Sequence, residues 1–222
     1  MTSKHIPEVL QYDFLNQSEI IDIKNKVFEL KPLWQYLHHT IEKDLRSNVI
    51  TTQMLSPAMY SRQHFAYMIS VKKIKPIMKE HFSTYYNKIK TKIEEVYNKP
   101  VIYLDKANYP GFHIYVLREN QSVSKYDCYN FHKDNFSYLS QITTPGAVFS
   151  MIVPISLPVT GGALLYKTDD VISRFEYSEG MLAQWGSQIL HSIEPFSLNQ
   201  NECRITIQMH LNVRENEIDI FW

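Results

Sequence analysis

Before about residue 100 the apolar side chains recur at helical spacing. Ile20, Ile23, Val27 and Leu30 make one stripe, Leu33, Leu37, Ile41 and Leu45 a second, and Met78, Phe82, Tyr86, Ile89, Ile93 and Val96 a third. This period predicts three or more amphipathic helices. Asn16 with Glu19 reads as a capping box for the first, Pro32 suits the opening turn of the second, and Asn98-Lys99-Pro100 ends the last. The seven lysines from Lys72 to Lys92 read as a solvated helix face, with phosphate binding as the alternative. After Val101 the pattern changes to short runs of Val, Ile, Tyr, Phe and Thr, namely FHIYVL (112–117), AVFSMIVPIS (147–156), ALLYK (163–167), GMLAQW (180–185) and CRITIQMHLNV (203–213). These predict strands. Turn chemistry such as Thr144-Pro145-Gly146 and Thr160-Gly161-Gly162 separates them, and four of the chain's 6 glycines (Gly146, Gly161, Gly162 and Gly180) fall in this region. The expected architecture is α+β in one domain. Residues 1–100 form a mainly helical support, and residues 101–222 a jelly-roll, double-stranded β-helix barrel that carries the catalytic site.

Composition narrows the possible roles. With 222 residues the chain can bury one sizeable core, and 23 basic against 23 acidic residues remove the positive field that general nucleic-acid binding needs. Cys128 and Cys203 have no paired spacing, so a Cys-rich zinc site and a disulfide framework are excluded and a reducing cytoplasm fits. No stretch approaches the roughly 20 apolar residues of a membrane span, and the first residues lack the order of a secretory signal. The expectation is a soluble, unprocessed, cytoplasmic protein that binds neither nucleic acid nor membrane.

The chemistry-bearing string is Phe131-His132-Lys133-Asp134. In an extended strand residues two apart share a face, so the His132 imidazole and the Asp134 carboxylate converge in a geometry that can chelate a metal. A second histidine, His191, follows in GSQILHSIEPF between two predicted strands. Two imidazoles and a carboxylate on one face of an octahedron suit non-haem Fe(II) with open positions; two polar residues on an exposed strand face are the plain alternative. Thirteen residues after His191, Arg204-Ile205-Thr206-Ile207-Gln208-Met209-His210 alternates polar with apolar. Its polar face looks either into water from an edge strand or into a ligand pocket, where the Arg204 guanidinium can grip a carboxylate and Thr206 can add a hydrogen bond.

The order His-x-Asp, distal His, Arg-x-Thr, in a strand-rich half behind N-terminal helices, resembles the Fe(II)/2-oxoglutarate-dependent dioxygenase superfamily over about residues 101 to 213. The resemblance implies that His132, Asp134 and His191 hold Fe(II) and that Arg204 with Thr206 binds the distal carboxylate of the cosubstrate 2-oxoglutarate. It further implies that O2 is the oxidant and that 2-oxoglutarate is converted to succinate and CO2. Pro110-Gly111-Phe112-His113-Ile114, the paired Gly161 and Gly162, the Arg204 to His210 string and Trp222 are similar to a bacterial branch of small free-amino-acid hydroxylases and halogenases. Halogenases have Gly or Ala where this chain keeps Asp134, so hydroxylation or desaturation of a small polar molecule, an amino acid or a derivative, is expected. AlkB-type nucleic-acid demethylases carry a second Arg where this chain has His210, which demotes them. A cupin-like metalloprotein that does not use 2-oxoglutarate, for which Arg204 is incidental, remains the other alternative.

Around this set, Tyr115 and Tyr126 are candidates to hydrogen-bond the cosubstrate, against the reading of ordinary half-buried tyrosines. Gln208 and His210 are candidates for substrate contact. Asn130 and Asn135 read as turn or supporting residues, and Trp185 and Phe149 as core aromatics rather than pocket walls. His38, His39, His64 and His81 read as helix-surface or packing residues. The loops 119–128 and 167–179 are candidate determinants of the substrate.

Overall fold

The computed structural model describes residues 9–36, 50–58, 64–117, 123–126, 131–137, 139–168 and 171–222, and within them strands greatly outnumber helices. In chain order the first part holds β1 (Val9–Asp13), α1 (Gln17–Glu29), β2 (Gln35–Tyr36), β3 (Ile50–Leu55) and α2 (His64–Tyr97). Then come β4 (Val101–Tyr103), β5 (Gly111–Leu117), β6 (Val123–Tyr126), β7 (Ala147–Ser156), β8 (Thr160–Gly161), β9 (Leu164–Thr168) and β10 (Val171–Phe175). The chain closes with β11 (Met181–Gly186), β12 (Leu190–Ile193), β13 (Phe196–Asn199), β14 (Cys203–Val213) and β15 (Ile218–Phe221).

Among the described residues the strands make three sheets. The largest, of nine strands, runs β1-β11-β7-β14-β5-β3-β2, with β15 beside the second half of β14 and β4 beside β15; the smaller ones are β10-β9-β12 and β6-β13-β8. Long β14 organises the large sheet, because β7 pairs along one side of it while β5 and then β15 share the other. Its alternation sorts side chains between two layers. Cys203, Ile205, Ile207, Met209 and Leu211 face α1 and α2 in the main core, with Met151, Val153 and Ile155 of β7 and Phe112 and Ile114 of β5. The opposite, inner face meets the small sheets: Ile152, Ala183 and Trp185 pack on Leu164 of β9, and Ile50 and Tyr115 pack on Phe196 and Leu198 of β13.

The helical stripes were legible. Ile20, Ile23 and Val27 are the buried face of α1, and Asn16 and Glu19 form both halves of its capping box, with Asn16 N donating to Glu19 Oε2 at 2.8 Å and Glu19 N to Asn16 Oδ1 at 3.0 Å. Met78, Phe82, Tyr86, Ile89 and Ile93 bury the inner face of α2, whereas Val96 is exposed. Asn98 breaks that helix with φ of 50°. Of the lysines of α2, Lys72, Lys73 and Lys79 are exposed, while Lys88 binds Glu19 at 2.7 Å and Lys75 donates to the Leu104 and Asp105 carbonyls.

Two expectations need correction. The region before residue 100 is not purely helical support, since β1 completes one edge of the large sheet against β11 and β3 extends it beyond β5. Pro32 opens a single 3-10 turn, Lys31–Leu33, with β2 directly after it; Leu37, Ile41 and Leu45 lie outside the described residues. The strands also form no closed barrel among the described residues: they are open sheets stacked face to face, a jelly-roll-like arrangement. No described helix is long and apolar enough to cross a membrane.

Candidate metal centre

His132 and His191 meet through the backbone. They exchange two hydrogen bonds of 3.0 Å as an isolated antiparallel bridge, which adds the 131–134 segment beside β12. Directly opposed residues of such a bridge project to the same side, and the two imidazole rings stand 4.6 Å apart. His191 thus belongs to a strand, not to a connection between strands. Asp134, two residues beyond His132, brings its Oδ1 to 3.8 Å from His191 Nε2. One potential ligand atom from each of His132, Asp134 and His191 lies within 4.8 Å of the other two. His132 is exposed and His191 buried, so the group opens on one side only.

Hydrogen bonding sets these groups up to receive a cation. His191 Nδ1 lies 2.9 Å from the Ile189 carbonyl oxygen, which can only accept, so Nδ1 carries the proton and Nε2 keeps its lone pair for the metal side. Burial holds the His191 imidazole below its ordinary value despite the opposing pull of Asp134, favouring the neutral, ligating form. Asp134 Oδ2 accepts a short hydrogen bond from Ser150 Oγ, leaving Oδ1 toward the histidines. Trp185 packs its indole edge-on to His191 with centroids 5.4 Å apart.

The polar side of β14 continues from this group across the inner face. Arg204 is 0% exposed, and its Nε, Nη1 and Nη2 make no hydrogen bond within the described residues. Its guanidinium carbon lies 5.5 Å from the centre of the ring of Tyr115, its cross-strand partner on β5. Gly162 lines the same space with φ of 80°; a Cβ there would stand 3.6 Å from Arg204 Nε and 2.8 Å from Pro158 Cγ. Thr206 is buried beside Arg204, and the Gln208 amide donates to its hydroxyl at 3.3 Å. His210 lies at the metal end, its Nδ1 3.3 Å from Ser150 Oγ. Burial pushes the His210 imidazole down to about 4.

A buried guanidinium without a counter-charge is expensive, several kcal/mol in effective terms. The donor set therefore fits a carboxylate guest, and two imidazoles with one carboxylate fit a divalent iron-like ion. Tyr126 stacks on Phe196 with Tyr115 edge-on to it, in the cluster between sheets. Phe149 packs with Tyr97 on the helix side, while Trp185 does wall the metal group. Asn135 accepts from Ser137 N at 3.0 Å as a turn residue, and half-buried His81 packs against Phe82. Asn130, Cys128, His38, His39 and most of the loop 119–128 lie outside the described residues, as does the His64 side chain.

Sequence reasoning missed Ser150, His113 and Phe136 and gave Trp222 no position. Ser150 carried one signal, a lone hydroxyl in an apolar run. Trp222 entered only through the resemblance: it is 0% exposed, donates its indole N–H to the Ser56 carbonyl at 2.8 Å and stacks on His210.

No family profile and no curated protein matches the chain by sequence. Solved structures do match by fold. The non-heme alpha-ketoglutarate-dependent epimerase SnoN of nogalamycin biosynthesis superposes with a TM-score of 0.51 at 10% identity, over 96% of this chain and 93% of that one. An N-substituted L-amino acid dioxygenase from Burkholderia ambifaria AMMD gives 0.47 at 11% identity over 97% and 86%. A Pseudomonas putida prolyl-4-hydroxylase gives 0.40 at 11% identity over 94% of each chain. The chain thus shares its fold with SnoN, and it carries a His-Asp-His group positioned to bind a metal.

Proposed function

We propose that this protein is an Fe(II)/2-oxoglutarate-dependent oxygenase of the jelly-roll type. It would hydroxylate or desaturate a small polar substrate, a free amino acid or a close derivative. The observation that carries the reading is Arg204, a wholly buried guanidinium with no hydrogen-bond partner among the described residues, on the inner face of the large sheet. A cupin-like site that does not use 2-oxoglutarate would leave that charge without a purpose.

His132, Asp134 and His191 would hold the iron, and Arg204 with Thr206 the distal carboxylate of 2-oxoglutarate. When bound, iron would activate O2, the oxidant, with 2-oxoglutarate giving two electrons as it becomes succinate and CO2 and the substrate giving the other two. The chain supplies position. Arg204 offers paired N–H donors to a carboxylate, Tyr115 and Pro158 wall it off from water, and Gly162 leaves room that any side chain would occupy. His191 keeps its proton on Nδ1, away from the metal side. Gln208, half-buried on the same face, is the side chain we assign to substrate recognition, because a polar group kept there needs a polar guest. Retention of Asp134 favours hydroxylation or desaturation over halogenation.

Arg204→Leu tests the reading. With Mn(II) in place of iron, calorimetry should show 2-oxoglutarate affinity reduced at least a hundredfold, since loss of a buried bidentate partner costs about 3 kcal/mol. With Fe(II) and O2, wild-type protein should form succinate from 2-oxoglutarate, fastest in the presence of the right amino acid. Unchanged 2-oxoglutarate affinity in Arg204→Leu would refute the assignment.

A further inference from the structure

We infer that Ser150 and His210 form a positioning relay behind Asp134, which fixes the rotation of its carboxylate so that one oxygen faces the histidines and the other is withheld. The inference rests on the metal-site reading above and extends it to two residues outside the ligand set. Ser150 of β7 and His210 of β14 are register partners on the inner face, so the large sheet sets their contact and no loop does. Both are buried, at 3% and 5% exposed.

Proton accounting orients the chain of bonds. The Ser150 hydroxyl has one hydrogen, and Asp134 Oδ2, a carboxylate oxygen, can only accept it. Ser150 Oγ must then accept from His210 Nδ1, 3.3 Å away, so the sequence is Nδ1–H to Oγ–H to Oδ2. The imidazole is held against rotation on three sides. Phe136 meets it edge-on with centroids 4.7 Å apart, Phe221 lies at 5.4 Å, and Trp222 stacks on it at 5.6 Å and 23°. A carboxylate free to rotate about its Cβ–Cγ bond can present both oxygens to a cation and fill a further coordination position. Asp134 has one oxygen tied to Ser150 and the other directed at His191, which favours single-oxygen ligation and leaves that position for reactants. His210 is accordingly a positioning residue that acts through Ser150, without touching substrate.

The test measures Mn(II) affinity by calorimetry and the visible absorption of Co(II)-loaded protein, neither of which needs turnover. Ser150→Ala should weaken Mn(II) binding ten- to a hundredfold, the usual range for lost support of a metal ligand, and should change the Co(II) band as the freed carboxylate alters the coordination. Ser150→Thr keeps the hydroxyl and should stay within about threefold of wild type. His210→Phe fits the aromatic enclosure and should weaken binding severalfold, and the double variant Ser150→Ala/His210→Phe should match Ser150→Ala alone. Wild-type Mn(II) affinity with an unchanged Co(II) spectrum in Ser150→Ala, or additive losses in the double variant, would overturn the relay while leaving the metal site standing. A wild-type protein that takes up neither Mn(II) nor Co(II) would overturn the site and the relay together.

Discussion

At the scale of single residues, the inner face asks histidine to stay neutral. His113 is buried on β5 opposite Thr206, with its ring edge-on to Trp222 at 5.3 Å. Burial first, and then the Arg204 guanidinium, push its imidazole down to about 3, with Asp134 pulling the other way and His210 and His132 adding to the depression. An unfolded chain protonates the same residue near pH 6.5. Between those values the unfolded state binds the extra proton, so this contribution is complete above about pH 6.5 and is lost as pH falls toward the folded value, at roughly 1.4 kcal/mol per pH unit. Urea midpoints should therefore be flat from pH 8 to 7 and decline below 6.5, and His113→Gln should shallow the decline by about one proton. His132, Asp134 and His191 were readable as one group at this scale because each is a chemically reactive type at a telling spacing. Ser150 and His113 were not, because a common residue becomes informative only when folding shows what it touches.

At the scale of elements, Gly111 shows how closely β5 approaches the end of the chain. A Cβ there would lie 2.0 Å from Trp222 Nε1 and 2.8 Å from the Ser56 carbonyl oxygen, the two atoms joined by the indole hydrogen bond. Trp222 is 0% exposed and cannot swing aside, so Gly111→Ala should lower stability by about 2 kcal/mol or more. Gly186→Ala, whose nearest neighbour atom is 3.8 Å away, should change it by less than about 0.5 kcal/mol. Denaturant titration of the two variants checks both values. β7 and β14 were legible to the residue because long runs of β-branched and alternating side chains admit no helix. β1, β2 and β3 were not, since VLQYD and QY are short and exist as strands only through partners far along the chain. β7 also carries Pro154 in a central position. A register shift there accommodates it, since Ile205 pairs with Ser156 but Thr206 with Pro154.

At the scale of the molecule, two separated segments, 131–134 and β12, bring the metal-ligating group together, and in the proposed site β14 adds a third. Ligands that join them should stabilise the whole fold. At a hundred times its dissociation constant a ligand adds about 2.7 kcal/mol, which for a chain of this size raises the melting temperature by about 5–10 °C. Thermal unfolding should show such a rise with Mn(II) and a further one with 2-oxoglutarate, and Arg204→Leu should keep the first and lose the second. The site also imposes an arithmetic on its own inheritance. Arg204 and His210 share the inner face only because an even number of steps separates them, as with His132 and Asp134; the strand behaves like a message with a reading frame of two. The odd step at Pro154 shows the outcome, for it leaves Ser156 on the helix side, where Lys24 reaches its hydroxyl at 3.1 Å. Descendants of this chain can lengthen their loops by any amount, but a change between Arg204 and His210 must come in twos or be absorbed as a bulge. A single inserted residue there would hand half of that polar face to the core.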